Sequence, residues 1–199
     1  MRSAFYPMLN RLKLINRWAL MRNTSVETVM EHSYQTTFLA HALALIRKRR
    51  FPELRPVIEP DRVIACALYH DVTEIITGDM PTPIKYGSRE LRAAYAEAET
   101  FAAERLLGML PDDLAEEYRP YLFPEEDALS VAIWRLVKAA DSLSAYLKCL
   151  EETSRGNREF AVAEEQTLQK LKAMALPELD YFMEHFAAGF ALSLDELQA

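Results

Sequence analysis

Hydrophobic positions recur every three to four residues through most of the chain and nowhere alternate over a useful strand length. That period turns one stripe of side chains inward and predicts an all-α protein of about seven or eight helices. A first amphipathic helix is expected over 4–18, with Leu9, Leu12 and Ile15 inward, ending in Asn16-Arg17-Trp18. Thr24 with Glu27 three residues on has the spacing of a capping box, ahead of a helix expected over roughly 28–48 with His32, Leu39, Leu43 and Ile46 on one face. Pro52, Pro56 and Pro60 make a stiff linker, and Pro60 or Asp61 opens a helix with Val63, Ile64 and Ala67 inward. Continued by one turn, that face reaches His70, Asp71 and Glu74, after which Gly78, Pro81 and Pro83 stop it. Further helices are expected over 88–108 and from Pro111-Asp112-Asp113 to a turn marked by Pro120 and Pro124. A long one over 125–152 has the apolar stripe Leu129, Ile133, Leu136, Ala140, Leu143, Leu147 and Leu150. A polar helix over 155–174 and a last one opened by Pro177, with Phe182, Phe186 and Phe190 spaced four apart, complete the pattern.

At 199 residues, half of them hydrophobic, the chain is expected to form one domain, 1–199. A net charge of -7 argues against a nucleic-acid polymer as partner, since backbone binding needs a basic stripe. A single mononucleotide in a locally positive pocket is not excluded. With 5 glycines there is no Gly-rich phosphate loop. Cys66 and Cys149 sit far apart among apolar neighbours and read as buried free thiols. Arg11, Lys13 and Arg17 interrupt every apolar run of a signal-peptide pattern, and no run reaches membrane-spanning length. A reduced, cytoplasmic protein with no membrane contact is expected.

Four polar residues stand out because they fall on inward or shoulder positions of three different helices: His32, His70, Asp71 and Asp141. Each alone has an ordinary reading. A lone inward histidine is usually a hydrogen-bonded core residue, and Asp141 with Lys138 three before it makes a surface ion pair worth a few tenths of a kcal/mol. Buried together they would be costly unless they pair or bind a metal. Two imidazoles and two carboxylates suit one divalent cation of borderline hardness, such as manganese, cobalt, iron, nickel or zinc. Arg17 is a surface residue by default, but its guanidinium suits a phosphate, and the Trp18 indole can pack on a sugar or base.

The order of a histidine, a His-Asp pair and a distant aspartate resembles the HD-domain metal-dependent phosphohydrolases. The blocks 11–18, Glu31-His32-Ser33, 69–74, 78–83, Lys138-Ala139-Ala140-Asp141 and 193–197 make the chain similar, along nearly its whole length, to the bacterial HD-domain 5′-deoxynucleotidases. The resemblance implies an all-helical homodimer that removes phosphate from 2′-deoxyribonucleoside 5′-monophosphates. It implies one divalent metal, cobalt, manganese or another first-row ion, on His32, His70, Asp71 and Asp141. It implies phosphate binding by Arg17, sugar packing by Trp18, a catalytic role at the attacking water for Glu74, and a nucleotide pocket shaped by Asp79, Met80, Pro81 and Thr82 beside His32. Whether Glu74 or Asp79 serves the leaving oxygen stays open. Two other readings remain: a phosphohydrolase of nucleoside triphosphates or cyclic nucleotides, and a non-catalytic nucleotide-sensing dimer.

Overall fold

The structure, a computed structural model, describes residues 3–81, 84 and 87–198. Among the described residues its α-helices include α1 (Phe5–Leu9), α2 (Val29–Arg50), α3 (Pro60–Tyr69), α4 (Glu74–Thr77), α5 (Arg89–Leu107), α6 (Asp112–Leu122), α7 (Ala128–Ser154), α8 (Ala161–Ala173), α9 (Pro177–His185) and α10 (Leu194–Leu197). The all-α expectation holds. Among the described residues the only strand-like pairing is an isolated bridge between Asn16 and Thr28.

The long helices form because their inward stripes find one another. Leu39, Ala40 and Leu43 of α2 pack with Val63 and Ala67 of α3, and with Ile133, Leu136, Leu143 and Leu147 of α7. Leu171 of α8 and Leu179 and Phe182 of α9 close the same core. A smaller cluster of Phe5, Leu12, Val29, Val72, Leu106 and Leu110 joins the N-terminus to α5. Truncating a fully buried member such as Leu143 to alanine costs roughly 2–5 kcal/mol, because the cavity refills only in part.

Several boundaries differ from expectation, each for a local reason. The first helix ends early: α1 passes into a 3₁₀ turn, Asn10–Leu14, and the chain then extends at Ile15. Arg17 N–H donates to the Glu27 carbonyl at 2.8 Å, so residues 16–28 form a loop closed at its base. The capping box is Thr28 with Glu31, not Thr24 with Glu27. Both pairs have the right spacing, but Thr24 and Glu27 are engaged elsewhere, as described below. Pro120 does not end α6 but sits inside its last turn. Asp127 caps α7, which therefore starts three residues later than expected and runs to Ser154. Gly156, at φ 84°, and a 3₁₀ turn at Arg158–Phe160 delay α8. In the phenylalanine stripe Phe182 is buried, while Phe186 is 48 % exposed and lies beyond the end of α9.

The most consequential difference lies after α3. The helix stops at Tyr69, His70 is its C-cap, and a turn precedes the single helical turn of α4. His70, Asp71 and Glu74 are thus carried by a helix end and a turn rather than by one continuous face. Gly78 then takes φ 73°, a left-handed conformation that side-chain-bearing residues adopt only with strain. Thr82, Pro83 and Lys85 lie outside the described residues.

Candidate active site

Helix periodicity brings the polar residues together. His32 and Thr36 continue the inward stripe of Leu39 and Leu43 on α2, so His32 enters the core with no exposure at all. On α7, a second stripe runs beside the apolar one: Asp141, Ser144, Lys148 and Glu152, at helical spacing. The upper end of that stripe meets His32 and the end of α3.

The donor atoms of His32, His70 and Asp141 lie within 4.8 Å of one another, a grouping able to hold a metal ion. Asp71 joins through Oδ2, which is 3.4 Å from His32 Nε2 and 3.1 Å from His70 Nε2. Asp141 Oδ1 is 3.3 Å from His32 Nε2. Hydrogen bonds at the rear of each ring fix where the protons sit. Ser144 Oγ donates to Gln35 Oε1 at 2.6 Å, so at 3.0 Å it accepts from His32 Nδ1–H. His70 Nδ1–H donates to the Ala67 carbonyl at 2.7 Å. Both Nε2 lone pairs therefore face carboxylates; His32 Nε2 also meets the Thr36 hydroxyl at 3.4 Å, whereas His70 Nε2 has no hydrogen-bond partner although enclosed. Lone pairs opposed at these distances repel unless a cation or a proton lies between them. Ligands about 2.1 Å from one ion stand about 3.0 Å apart at right angles and about 3.4 Å apart in a tetrahedron. The three imidazole–carboxylate separations fall in that interval, while His32, His70 and Asp141 gather to within 4.8 Å as a group that does not include Asp71, and the donor set of imidazoles and carboxylates suits a borderline divalent ion.

The electrostatics agree. Burial opposes charge on Asp71, yet His70 and His32 hold its carboxyl well below the usual range. Burial likewise opposes charge on Asp141, which His32 and Lys138 hold well down; Lys138 lies 2.6 Å away. Burial pushes the His70 imidazole down, but Asp71 and Asp141 outweigh it and raise its proton affinity. The pocket attracts positive charge.

Beside this cluster opens a cavity of about 740 Å³, lined by Arg17, Trp18, Asp71, Glu74, Asp79, Met80, Pro81 and Asp141, among others. Every expected pocket residue is there except two. His32 lies behind the wall and reaches the cavity only through Asp71 and Asp141. Thr82 is outside the described residues. Arg17 Nη1 donates to Asp71 Oδ2 at 3.5 Å, and burial of the guanidinium is outweighed by Asp71, Glu27, Asp141 and Asp79, which keep it charged. Glu74 is buried at the first position of α4. The opposite wall, Gln166, Thr167 and Lys170 of α8, was not singled out by sequence reading, and only the polarity of that helix hinted at it.

The fold matches solved structures that include HD-domain phosphohydrolases. An HD-domain phosphohydrolase from Listeria innocua superposes with a TM-score of 0.77 at 19% identity, covering 98% of this chain and 92% of that one. The HD phosphohydrolase DatZ of cyanophage S-2L, solved with dA and one catalytic Zn²⁺, gives 0.63 at 19% identity over 92% of this chain and 96% of its own. The fold is that of the HD phosphohydrolases. Sequence narrows it further. Residues 4–190 match the 5′-deoxynucleotidase YfbR-like family model, and the 5′-deoxynucleotidase VV1113 of Vibrio vulnificus (strain YJ016) is 47% identical over 195 residues, 98% of either chain. The chain belongs to the YfbR-like 5′-deoxynucleotidase family.

Proposed function

We propose that this protein hydrolyses 2′-deoxyribonucleoside 5′-monophosphates to deoxynucleoside and phosphate, with one divalent ion held by His32, His70, Asp71 and Asp141. The observation that carries the proposal is the pair of Nε2 lone pairs set against two carboxylates, with Arg17 and Glu74 on the adjoining cavity wall. The mixed nitrogen and oxygen donors favour cobalt, manganese or another first-row ion.

Phosphate monoesters hydrolyse so slowly unaided that the site must supply a very large rate factor. The ion, when bound, would lower the pKa of a water towards about 7 and neutralise phosphoryl oxygens. Arg17 holds the phosphate and follows its charge as it spreads in the transition state. Glu74 accepts the proton of the attacking water. The leaving 5′-oxygen takes its proton from Asp79 or from the newly protonated Glu74. Trp18 packs on the deoxyribose, where a 2′-hydroxyl is rejected only by clash or by a stranded polar group. Met80, Pro81 and Thr82 complete the nucleotide wall.

The same proposal includes one domain over 1–199, a cytoplasmic location and a homodimer. One core shared by α2, α3, α7, α8 and α9 supports the first. Two free, buried thiols, with no helix among the described residues long and apolar enough to cross a membrane, support the second. Exposed Phe186, Leu192, Leu194 and Leu197 at the C-terminal end support the third. Lys170 and Lys138 also line the cavity and make a triphosphate the reading to test against. The experiment is product analysis of dAMP, AMP and dATP with the metal varied. Free phosphate from dAMP, with dAMP preferred to AMP, is expected, and Glu74→Ala should bind metal yet turn over about 10²–10⁴ times more slowly. Triphosphate release from dATP, or no phosphate from dAMP under any metal, would overturn the proposal.

A further inference from the structure

Glu27 sits at the base of the 16–28 loop and reaches two cavity residues at once. The Trp18 indole Nε1–H donates to Glu27 Oε2 at 2.9 Å. Arg17 Nε lies 3.2 Å from the same oxygen, an ion pair rather than an aligned hydrogen bond, with both side chains of that pair 12% exposed. The backbone of Glu27 accepts from Arg17 N–H. Trp18 also holds φ 56°, a left-handed conformation unusual for so large a residue, so something must hold it there. Its ring rests on the fully buried Phe160 at 5.4 Å between centroids. The loop tip is fixed separately, because Glu152 of α7 accepts from Thr24 N and Oγ1, from Ser25 N, from Asn157 Nδ2 and from Lys148. The Trp18 carbonyl accepts from Met21 N–H at 2.9 Å and from Asn23 Nδ2 at 3.2 Å, which holds the backbone turn, and Glu27 is the side chain that meets both the indole and the guanidinium.

We infer that Glu27 is a positioning residue that couples sugar recognition to phosphate recognition, by holding the Trp18 indole and the Arg17 guanidinium on one carboxylate oxygen. The inference rests on the proposed function for the identity of the ligand. A carboxylate on the Nε side leaves the terminal nitrogens of Arg17 turned towards Asp71 and the cavity, the edge a phosphate needs. A ligand that displaces the indole must then also shift the guanidinium. A 2′-hydroxyl would therefore lower kcat as well as affinity.

The test uses Glu27→Gln and Glu27→Ala in the full chain with metal bound, assayed with dAMP and AMP for kcat and KM. Nucleotide binding is read separately from Trp18 fluorescence in a Trp134→Phe background. Glutamine keeps an acceptor for the indole but loses the charge on Arg17. It should lower kcat/KM for both nucleotides about tenfold and hold the dAMP/AMP ratio within about twofold. Alanine loses both contacts. It should lower the ratio at least about fivefold, partly in kcat, and shift Trp18 emission. Metal content should stay at wild-type level in both variants. A ratio unchanged in the alanine variant, or a lower melting temperature as the only effect of both variants, would overturn the inference. Should alanine prevent folding, a glutamine variant with unchanged kcat/KM would do so alone. If the wild type binds both nucleotides but releases no phosphate, the proposed activity fails. The coupling is then read from the ratio of dissociation constants for dAMP and AMP, which an uncoupled Glu27 would leave unmoved.

Discussion

Two acids stand eleven residues apart on α7, Glu152 fully buried and Asp141 half-buried, and are treated in opposite ways. Glu152 is surrounded by donors: two backbone amides, a hydroxyl, a side-chain amide and the Lys148 ammonium. Lys148 in turn donates to the Ser25 carbonyl. Asp141 and its neighbour Asp71 face two imidazole nitrogens whose protons are committed on the far side of each ring. Burial alone does not separate them, since all of these groups are largely enclosed. The difference is whether the hydrogen-bond accounting closes. Where it closes, as at Glu152, the charge holds architecture together. Where two lone pairs oppose two carboxylates, the accounting closes only with a cation or a proton between them, and the proposed ion is that cation.

The comparison breaks first, and with the largest effect, at the proposed ligands. Asp141→Ala and His70→Ala should each lose metal together with activity, turnover falling by roughly 10³ or more. Glu152→Gln should keep its metal. Elemental analysis beside a phosphate-release assay decides this, and full metal occupancy in Asp141→Ala would show that the two acids do not differ as described.

The Glu152 end breaks differently, in stability. Removing the carboxylate leaves the buried Lys148 with the Ser25 carbonyl but no counter-charge, and Glu152→Ala should cost roughly 3–5 kcal/mol. A thermal or urea transition measures it. The pH dependence follows from the carboxyl itself. Burial raises its pKa, but Lys148, Asn157 and Thr24 outweigh this and depress it strongly. A carboxylate depressed in the folded state stabilises fully above its unfolded pKa, about 4.3, and that contribution is lost as pH falls below about 4 towards the folded value. The wild type should therefore lose stability over that acid range, and Glu152→Gln should show a shallower acid limb. Equal limbs would mean that Glu152 carries no such charge.

Much of this was legible in the sequence. The period of 3.6 gave the long helices, and the inward position of His32 followed from its spacing to Leu39 and Leu43. The polar stripe of α7 is equally legible in spacing, but Lys148 and Glu152, four residues apart, have the spacing of an ordinary surface pair and do not stand out as Asp141 does. What spacing could not reveal was competition between equivalent motifs. Thr24/Glu27 and Thr28/Glu31 both fit a capping box, and only tertiary partners, Glu152 for Thr24 and Arg17 with Trp18 for Glu27, decide between them. The early end of the first helix has the same origin, because a loop closed by the Asn16–Thr28 bridge overrides local periodicity. The break after Tyr69 was likewise hidden, since Val72 and Ile75 continue an apolar pattern through a turn.

The smallest expected effect sharpens the comparison most, because it leaves every proposed ligand in place. Ser144 lies between the two ends of the α7 stripe and is not among the residues that line the cavity. It is buried, accepts from His32 Nδ1–H and passes its own proton to Gln35. Ser144→Ala removes the acceptor that keeps the His32 proton on Nδ1. His32 can then carry its proton on Nε2, where it meets Asp71 and Asp141 as an ordinary donor and satisfies them without an ion. Metal affinity should fall about 10–100-fold, the usual cost of losing a group that orients a ligand. Excess metal should restore turnover, because His32, His70, Asp71 and Asp141 are all still present. Ser144→Thr, which keeps the hydroxyl, should stay closer to wild type. Metal titration of the three proteins, followed by phosphate release, tests the argument. Unchanged affinity in Ser144→Ala would mean that the committed Nδ1 proton is not what sets His32 apart from the donors around Glu152.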